Sequence, residues 1–164
     1  MKPDIDTKYL ERKLIFIVNR LEYLKRYSSL TIAELSENFE RIKSVEKVIQ
    51  EVVDCAVDIN QYLAENVLNT EIISSKDSFW KMQRLLKKED EYFKKIVDTV
   101  SFRNEIVHSY DAGIKMVWKT RNVGYFVDIY REYLEDLNRL ITQWDEEDSE
   151  NCSGKYRNRL VDER

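Results

Sequence analysis

The stretch VEKVIQEVVDCAVDINQYL, residues 45–63, has the clearest hydrophobic periodicity in the chain. Its apolar residues recur at spacings of three and four, the pattern of a helix that packs one face against a core. They are Val45, Val48, Ile49, Val52, Ala56, Ile59 and Leu63. Glu51, Asp54 and Asp58 fall to the sides of that face. The stretch therefore predicts a core helix.

Similar patterns on both sides of residues 45–63 predict further helices. Thr31 followed by Glu34 is a capping-box pattern that predicts a new helical segment, and a kink or break is expected near Asn38 or Ser44. Asp77 is expected to cap a short helix. The predicted helices besides the core helix span residues 6–27, 78–87, 89–110 and 123–144.

The composition indicates one all-α domain. The chain has 164 residues, one proline and three glycines, too few for a sheet protein with tight hairpins. We expect an up-and-down bundle of four to five helices over residues 1–144. Residues 145–164 are strongly charged and nearly free of apolar side chains, and they are predicted to form a flexible tail.

The charge is unevenly distributed along the chain. The net charge of −4 gives no global reason to bind nucleic acid, but residues 80–121 contain ten basic residues against six acidic ones. Solvated helix faces would give the same asymmetry. The two cysteines match neither a disulfide framework nor a zinc site, and no apolar run is long enough to cross a bilayer or to act as a signal peptide. We therefore expect a cytoplasmic protein that contacts no membrane and binds no metal or cofactor.

The stretch SFRNEIVHSY, residues 101–110, places an arginine and the only histidine in a helix with a buried face. On a helical wheel centred on Val100, Phe93, Ile96, Val97 and Val107 form that face. Arg103 and Tyr110 border it on one side, and Asn104 and His108 on the other. A guanidinium at a core margin needs a carboxylate, water or an anionic ligand. The wheel alone is equally consistent with a purely structural ion pair at Arg103 and with packed rim residues at His108 and Tyr110.

The order of these residues resembles a known signature. Arg103, four residues, His108, one residue and Tyr110, with Asn104 directly after the arginine, closely resemble the R-x-x-x-x-H-x-Y motif of HepT-like HEPN toxins. The resemblance extends to three flanking pairs, Asp58-Ile59, Gly113-Ile114 and Val117-Trp118, and covers roughly residues 45–140. The chain departs from the family pattern in the spacing between Tyr110 and Gly113, in lacking a Leu-Pro before the last helix, and in its charged tail.

The resemblance implies a metal-independent endoribonuclease, the toxin of a type VII HEPN/minimal nucleotidyltransferase toxin–antitoxin system. In this interpretation His108 takes the proton of a ribose 2′-hydroxyl, since a histidine exchanges protons near neutral pH, and Arg103 binds the phosphate. Asn104 is expected to orient His108 or the substrate. Four basic residues are candidates for guiding the RNA: Lys95, Lys115, Lys119 and Arg121.

The resemblance also implies two protein partners. HEPN proteins pair two copies so that both motifs line one cleft, and we therefore expect a homodimer. The cognate nucleotidyltransferase antitoxin is expected to attach AMP to Tyr110, with Ser109 as a weaker alternative acceptor.

Three alternatives remain open at the level of sequence. The chain could be a non-catalytic HEPN module that binds nucleotides or a partner, or a structural helical dimer in which the motif is a packed rim. Asp54 and Asp58, one helical turn apart, could touch a hard cation, although a solvated helix face is the simpler interpretation.

Overall fold

The computed structural model describes residues 3–108 and 113–161; for residues 148, 149 and 151–161 it describes the backbone alone. This part of the chain forms five long helices and two short ones, and its one strand-like feature is an isolated bridge between Thr31 and Asn122. The helices are α1 (Thr7–Lys25), α2 (Ile32–Leu35), α3 (Phe39–Asn66), α4 (Ser75–Leu86), α5 (Asp90–Val107), α6 (Met116–Thr120) and α7 (Val123–Val161). The predicted all-α bundle is confirmed. None of the described helices is long and apolar enough to span a bilayer.

Side-chain caps fix where the first helices begin. The Thr31 hydroxyl accepts a hydrogen bond from the Glu34 backbone N–H at 3.1 Å, so the helical segment predicted after Thr31 is confirmed, and Thr31 is its N-cap. The Glu34 carboxylate accepts from the Thr31 hydroxyl rather than from the Thr31 backbone N–H of a full capping box. The break in the chain lies at Asn38, whose side chain accepts from the Arg41 N–H at 3.0 Å. Ser44 lies inside α3, because the cap at Asn38 lets the helix begin at Phe39, six residues before Val45.

The predicted start of α4 was wrong. Ser74, not Asp77, is the N-cap: its hydroxyl accepts from the Asp77 backbone N–H at 3.0 Å. The Asp77 carboxylate reaches back and accepts from the Ile73 N–H at 3.0 Å. Asp77 therefore holds the third helical position of a reciprocal cap, and α4 begins three residues before the predicted Ser78.

Two other helix ends also differ from the prediction. α5 ends at Val107, with His108 as its C-cap, rather than near Tyr110. α7 continues past Trp144 to Val161, because extending an existing helix requires no new nucleation. Trp144 is the last buried side chain among those described. The division of the chain into a domain over residues 1–144 and a tail over 145–164 stays a prediction.

α5 packs against α3, α4 and α7. The predicted buried face is confirmed at Phe93, Ile96 and Val100, whereas Val97 and Val107 are half-buried. A second face is also buried. Phe102, on the other side of the helix, stacks on Trp118 of α6 with ring centroids 4.3 Å apart. Outside these two faces, the N-terminal half of α5 carries exposed charged residues such as Lys94 and Lys95, and the C-terminal half reaches the surface at the margin towards α3 and at His108.

A buried polar network joins α3, α4 and α7. Asn60 is fully buried; its side-chain N–H donates to the Ser78 hydroxyl at 3.2 Å, and its carbonyl oxygen accepts from the Tyr133 hydroxyl. Burial raises the pKa of Tyr133 well above its ordinary value, so this hydroxyl keeps its proton. The network fixes how three helices meet at one level of the bundle.

We predict that Tyr133→Phe lowers the free energy of unfolding by about 1–3 kcal/mol, because the buried Asn60 carbonyl loses its donor. Tyr130→Phe is the matched control. Tyr130 is also fully buried, but its partner Thr99 keeps a second hydrogen bond, to the Ile96 carbonyl, so a cost of about 1 kcal/mol or less is expected. Urea unfolding of both variants measures the difference, and equal losses would contradict the role given to Asn60.

Candidate active site

Arg103 lies on α5 and its side chain extends towards α3. Its Nε–H donates to the Asp54 carboxylate at 2.9 Å, and its NH1 group donates to the side-chain carbonyl of Asn104 at 3.2 Å. The Arg103 side chain is 28% exposed and that of Asp54 is 45% exposed. The ion pair that the helical wheel left open is therefore present. An arginine has five N–H donors, and the others on Arg103 make no hydrogen bond within the described part of the chain.

A buried tyrosine, Tyr130, lies in the core near Asp54, and its hydroxyl is hydrogen-bonded. The Tyr130 hydroxyl lies 2.6 Å from the Thr99 hydroxyl and donates to it, because Thr99 gives its own proton to the Ile96 carbonyl. Burial raises the pKa of Tyr130, and the negative charge of Asp54 adds to that shift. Tyr130 thus stays protonated as a structural donor, with Asp54 of the ion pair close enough to influence its hydroxyl.

His108 lies at the C-terminal end of α5, where the helix stops. Its backbone N–H donates to the Asn104 carbonyl at 3.0 Å, and the residue is exposed. The Asn104 side chain contacts Arg103, not the His108 imidazole. Arg103 and His108 therefore reach the surface at the same end of α5, but no hydrogen bond joins their side chains. Ser109 and Tyr110, the predicted modification sites, lie outside the described residues.

The four predicted RNA-binding residues have different surroundings. Lys95, Lys115 and Lys119 are all exposed, and Lys115 is in addition held near the end of α5 by Glu105, which accepts from the Lys115 backbone N–H at 3.2 Å. The Lys115 ammonium is 3.7 Å from the same carboxylate. Arg121 packs on the rings of Trp118 and Tyr125 and pairs with Asp98 at 3.3 Å. Lys95 and Lys119 are thus the freest of the four to meet a ligand.

The sequence pattern does not indicate Asp54 as the partner of Arg103. The spacing of Asp54 and Asp58 suggests either ligands for a cation or a solvated helix face. Each has its own cationic partner instead: Arg103 for Asp54, and Lys13, at 3.0 Å, for Asp58. Among the described residues, no three His, Cys, Asp or Glu side chains are grouped so that they could hold a metal ion. The sequence does hold one indication of this pair. Asp54 borders the buried face of α3, and Arg103 borders the buried face of α5.

Comparison with known proteins identifies the family. A model described as "Ribonuclease HepT-like" matches residues 17–121, more than half of the chain, and this range includes Asp54, Arg103, Asn104 and His108. The chain belongs to the HepT-like ribonuclease family. The resemblance seen in the R-x-x-x-x-H-x-Y motif is therefore confirmed.

Two relatives extend the comparison beyond the matched range. The HepT-like chain is 22% identical over 144 residues to a protein of Aphanizomenon flos-aquae named tRNA nuclease HepT, covering 88% of this chain and 97% of the relative. A solved structure of a tri-AMPylated Shewanella oneidensis HEPN toxin in complex with its MNT antitoxin is similar with a TM-score of 0.59. That match covers 80% of this chain and 92% of the toxin at 20% identity. At this identity the likeness shows a shared HEPN fold.

Proposed function

We propose that this HepT-like protein is the toxin of a HEPN/MNT toxin–antitoxin system and cuts RNA without a metal ion. The observation that carries the proposal is the arrangement at the end of α5. A guanidinium held by Asp54 and Asn104 keeps other N–H donors available, and an exposed histidine lies on the same helix end. Membership of the HepT-like ribonuclease family supports this use of the two residues. The relative named tRNA nuclease HepT makes tRNA the first substrate to test.

The proposed reaction is an internal transfer at one phosphate. His108 accepts the proton of a ribose 2′-hydroxyl while the 2′-oxygen bonds to the adjacent phosphorus. The bond from phosphorus to the 5′-oxygen breaks, and that oxygen takes a proton from water as it leaves. The products are a 2′,3′-cyclic phosphate and a 5′-hydroxyl. Arg103 donates hydrogen bonds to the phosphate oxygens, on which negative charge accumulates in the transition state.

We also propose that two copies of the chain form the working site. Arg103 and His108 are five residues apart, which on a helix corresponds to about 140° around the axis, so one helix presents them poorly to one phosphate. A second copy would bring another Arg103 and His108 to the same cleft. Apolar surface suitable for such contact lies close by: Met116 and Val117 of α6 are 70% and 47% exposed, and α6 follows directly after Lys115, which Glu105 ties to α5.

The nuclease proposal is tested by cleavage of total tRNA in EDTA. Wild type is expected to cut, and His108→Ala to lose at least about a hundredfold in rate, the lower end of the range for a general base. The new ends should carry 2′,3′-cyclic phosphate. Lys119→Gln is a control variant on the exposed surface of α6: it should cut by the same chemistry, with at most weaker RNA binding.

Two results would reject the nuclease proposal. Folded, unmodified wild type that cuts no RNA would favour a non-catalytic HEPN module that binds nucleotides or a partner. Cleavage that disappears in EDTA and returns with Mg²⁺ would show that the reaction needs a metal ion.

We further propose that the antitoxin neutralises this protein by attaching AMP to Tyr110. The similar Shewanella protein is AMPylated and complexed with an MNT antitoxin, which supports a nucleotidyltransferase partner for this chain. AMP two residues from His108 would add negative charge and bulk beside the phosphate site. In the proposed reaction the Tyr110 oxygen attacks the α-phosphorus of ATP, and pyrophosphate leaves.

The modification is tested by incubating the protein with its cognate nucleotidyltransferase and ATP. Intact mass spectrometry should show added AMP groups of about 329 Da each, and RNA cleavage should fall in parallel. Tyr110→Phe should gain no AMP and should keep cutting in the presence of the enzyme and ATP. If Tyr110→Phe is modified and inhibited as fully as wild type, the acceptor is another residue, with Ser109 the next to examine.

A further inference from the structure

The Arg103 guanidinium is fixed along one edge by a residue from another helix. Asp54 of α3 accepts from Nε, the donor nearest the helix backbone, and Asn104 accepts from one terminal nitrogen. Because Nε is engaged, rotation about the last bonds of the side chain is restricted. The remaining donors lie on the terminal nitrogens, where an arginine fork meets a phosphate.

The negative charge of Asp54 does not favour the binding of RNA at this place. An RNA phosphate bound by Arg103 would carry negative charge close to the negative charge of Asp54, and the two repel. The ion pair also adds little stability: Asp54 is 45% exposed, and pairs of this kind contribute about 0–1 kcal/mol. The contact therefore needs another explanation, and orientation of the guanidinium provides one.

We propose that Asp54 is a positioning residue, which holds Nε of Arg103 so that the terminal nitrogens face the phosphate during cleavage. This inference rests on the nuclease function proposed above. Asp54 acts through Arg103 and does not contact the substrate. Its loss leaves the arginine charged but free to rotate, so RNA still binds while fewer bound molecules reach the geometry of the transition state.

Asp58 provides a matched control on the same helix. It follows Asp54 by four residues, is 53% exposed, and pairs with a single cation, Lys13, at 3.0 Å. Both carboxylates lie on the wall of the groove between α1 and α3, so removing either one changes the local charge by the same amount. Of these two carboxylates, Asp54 pairs with Arg103 and Asp58 pairs with Lys13. A difference between the two variants thus reports the contact rather than the charge.

The experiment measures kcat and KM of RNA cleavage for full-length wild type, Asp54→Ala, Asp54→Asn and Asp58→Ala, with thermal melting as a check of folding. Asp54→Ala should lose at least about tenfold in kcat, because small displacements of a positioning group cost one to two orders of magnitude in rate. Its KM should stay the same or fall, because a negative charge near the RNA has been removed. Asp54→Asn, which keeps an acceptor for Nε, should lie between wild type and Asp54→Ala. Asp58→Ala should stay within about twofold of wild type in kcat.

Each contrary result identifies what failed. If Asp54→Ala keeps the wild-type kcat, or if Asp58→Ala loses as much, Asp54 does not position Arg103 and the nuclease function still stands. A raised KM with unchanged kcat would overturn the proposal too, since it assigns Asp54 a role in binding. Wild type that cuts no RNA would reject the nuclease function and this inference together. Should Asp54→Ala fail to fold, the comparison of Asp54→Asn with wild type decides, with wild-type kcat in Asp54→Asn overturning the proposal.

Discussion

The burial of α5 on two faces is the constraint on which the rest of this structure depends. Phe93, Ile96 and Val100 pack into the bundle, while Phe102 on another face stacks against Trp118. A charged side chain on either buried face would carry a desolvation cost. Arg103 and His108 lie away from both faces, at the margin towards α3 and at the C-terminal end of the helix.

The Arg103–Asp54 ion pair follows from that constraint. A guanidinium at the margin of a buried helix is satisfied either by water or by a neighbouring carboxylate, and α3 provides one at 2.9 Å. The pair is partly exposed, so its value for stability is small. Its geometric effect is larger, since it fixes one edge of a residue whose terminal nitrogens we propose bind phosphate. His108, beyond the last turn of the same helix, has no such restraint from its neighbour Asn104, whose side chain contacts Arg103.

The sequence predicted those features that depend on a single helix. The stripe over residues 45–63, the helix start at Thr31 and most of the buried face through Val100 were confirmed, because periodicity and local hydrogen bonding depend on residues close together in the sequence. Features that depend on a second element were missed. The burial of Phe102 requires Trp118 from α6, and the partner of Arg103 comes from α3, 49 residues earlier. A helical wheel shows which residues share a face but not which neighbour that face meets.

In the proposed mechanism, Arg103 from one copy of the chain and His108 from another complete one site, and RNA cleavage depends on this arrangement. Mixing Arg103→Ala with His108→Ala tests this claim directly, after exchange of subunits has been shown by tagged pull-down. Each variant alone should be inactive. The mixture should recover tRNA cleavage, because a mixed dimer brings an intact histidine from one copy to an intact arginine from the other. A mixture that exchanges subunits but stays as inactive as its components would contradict a shared site and would require both residues to act within one chain.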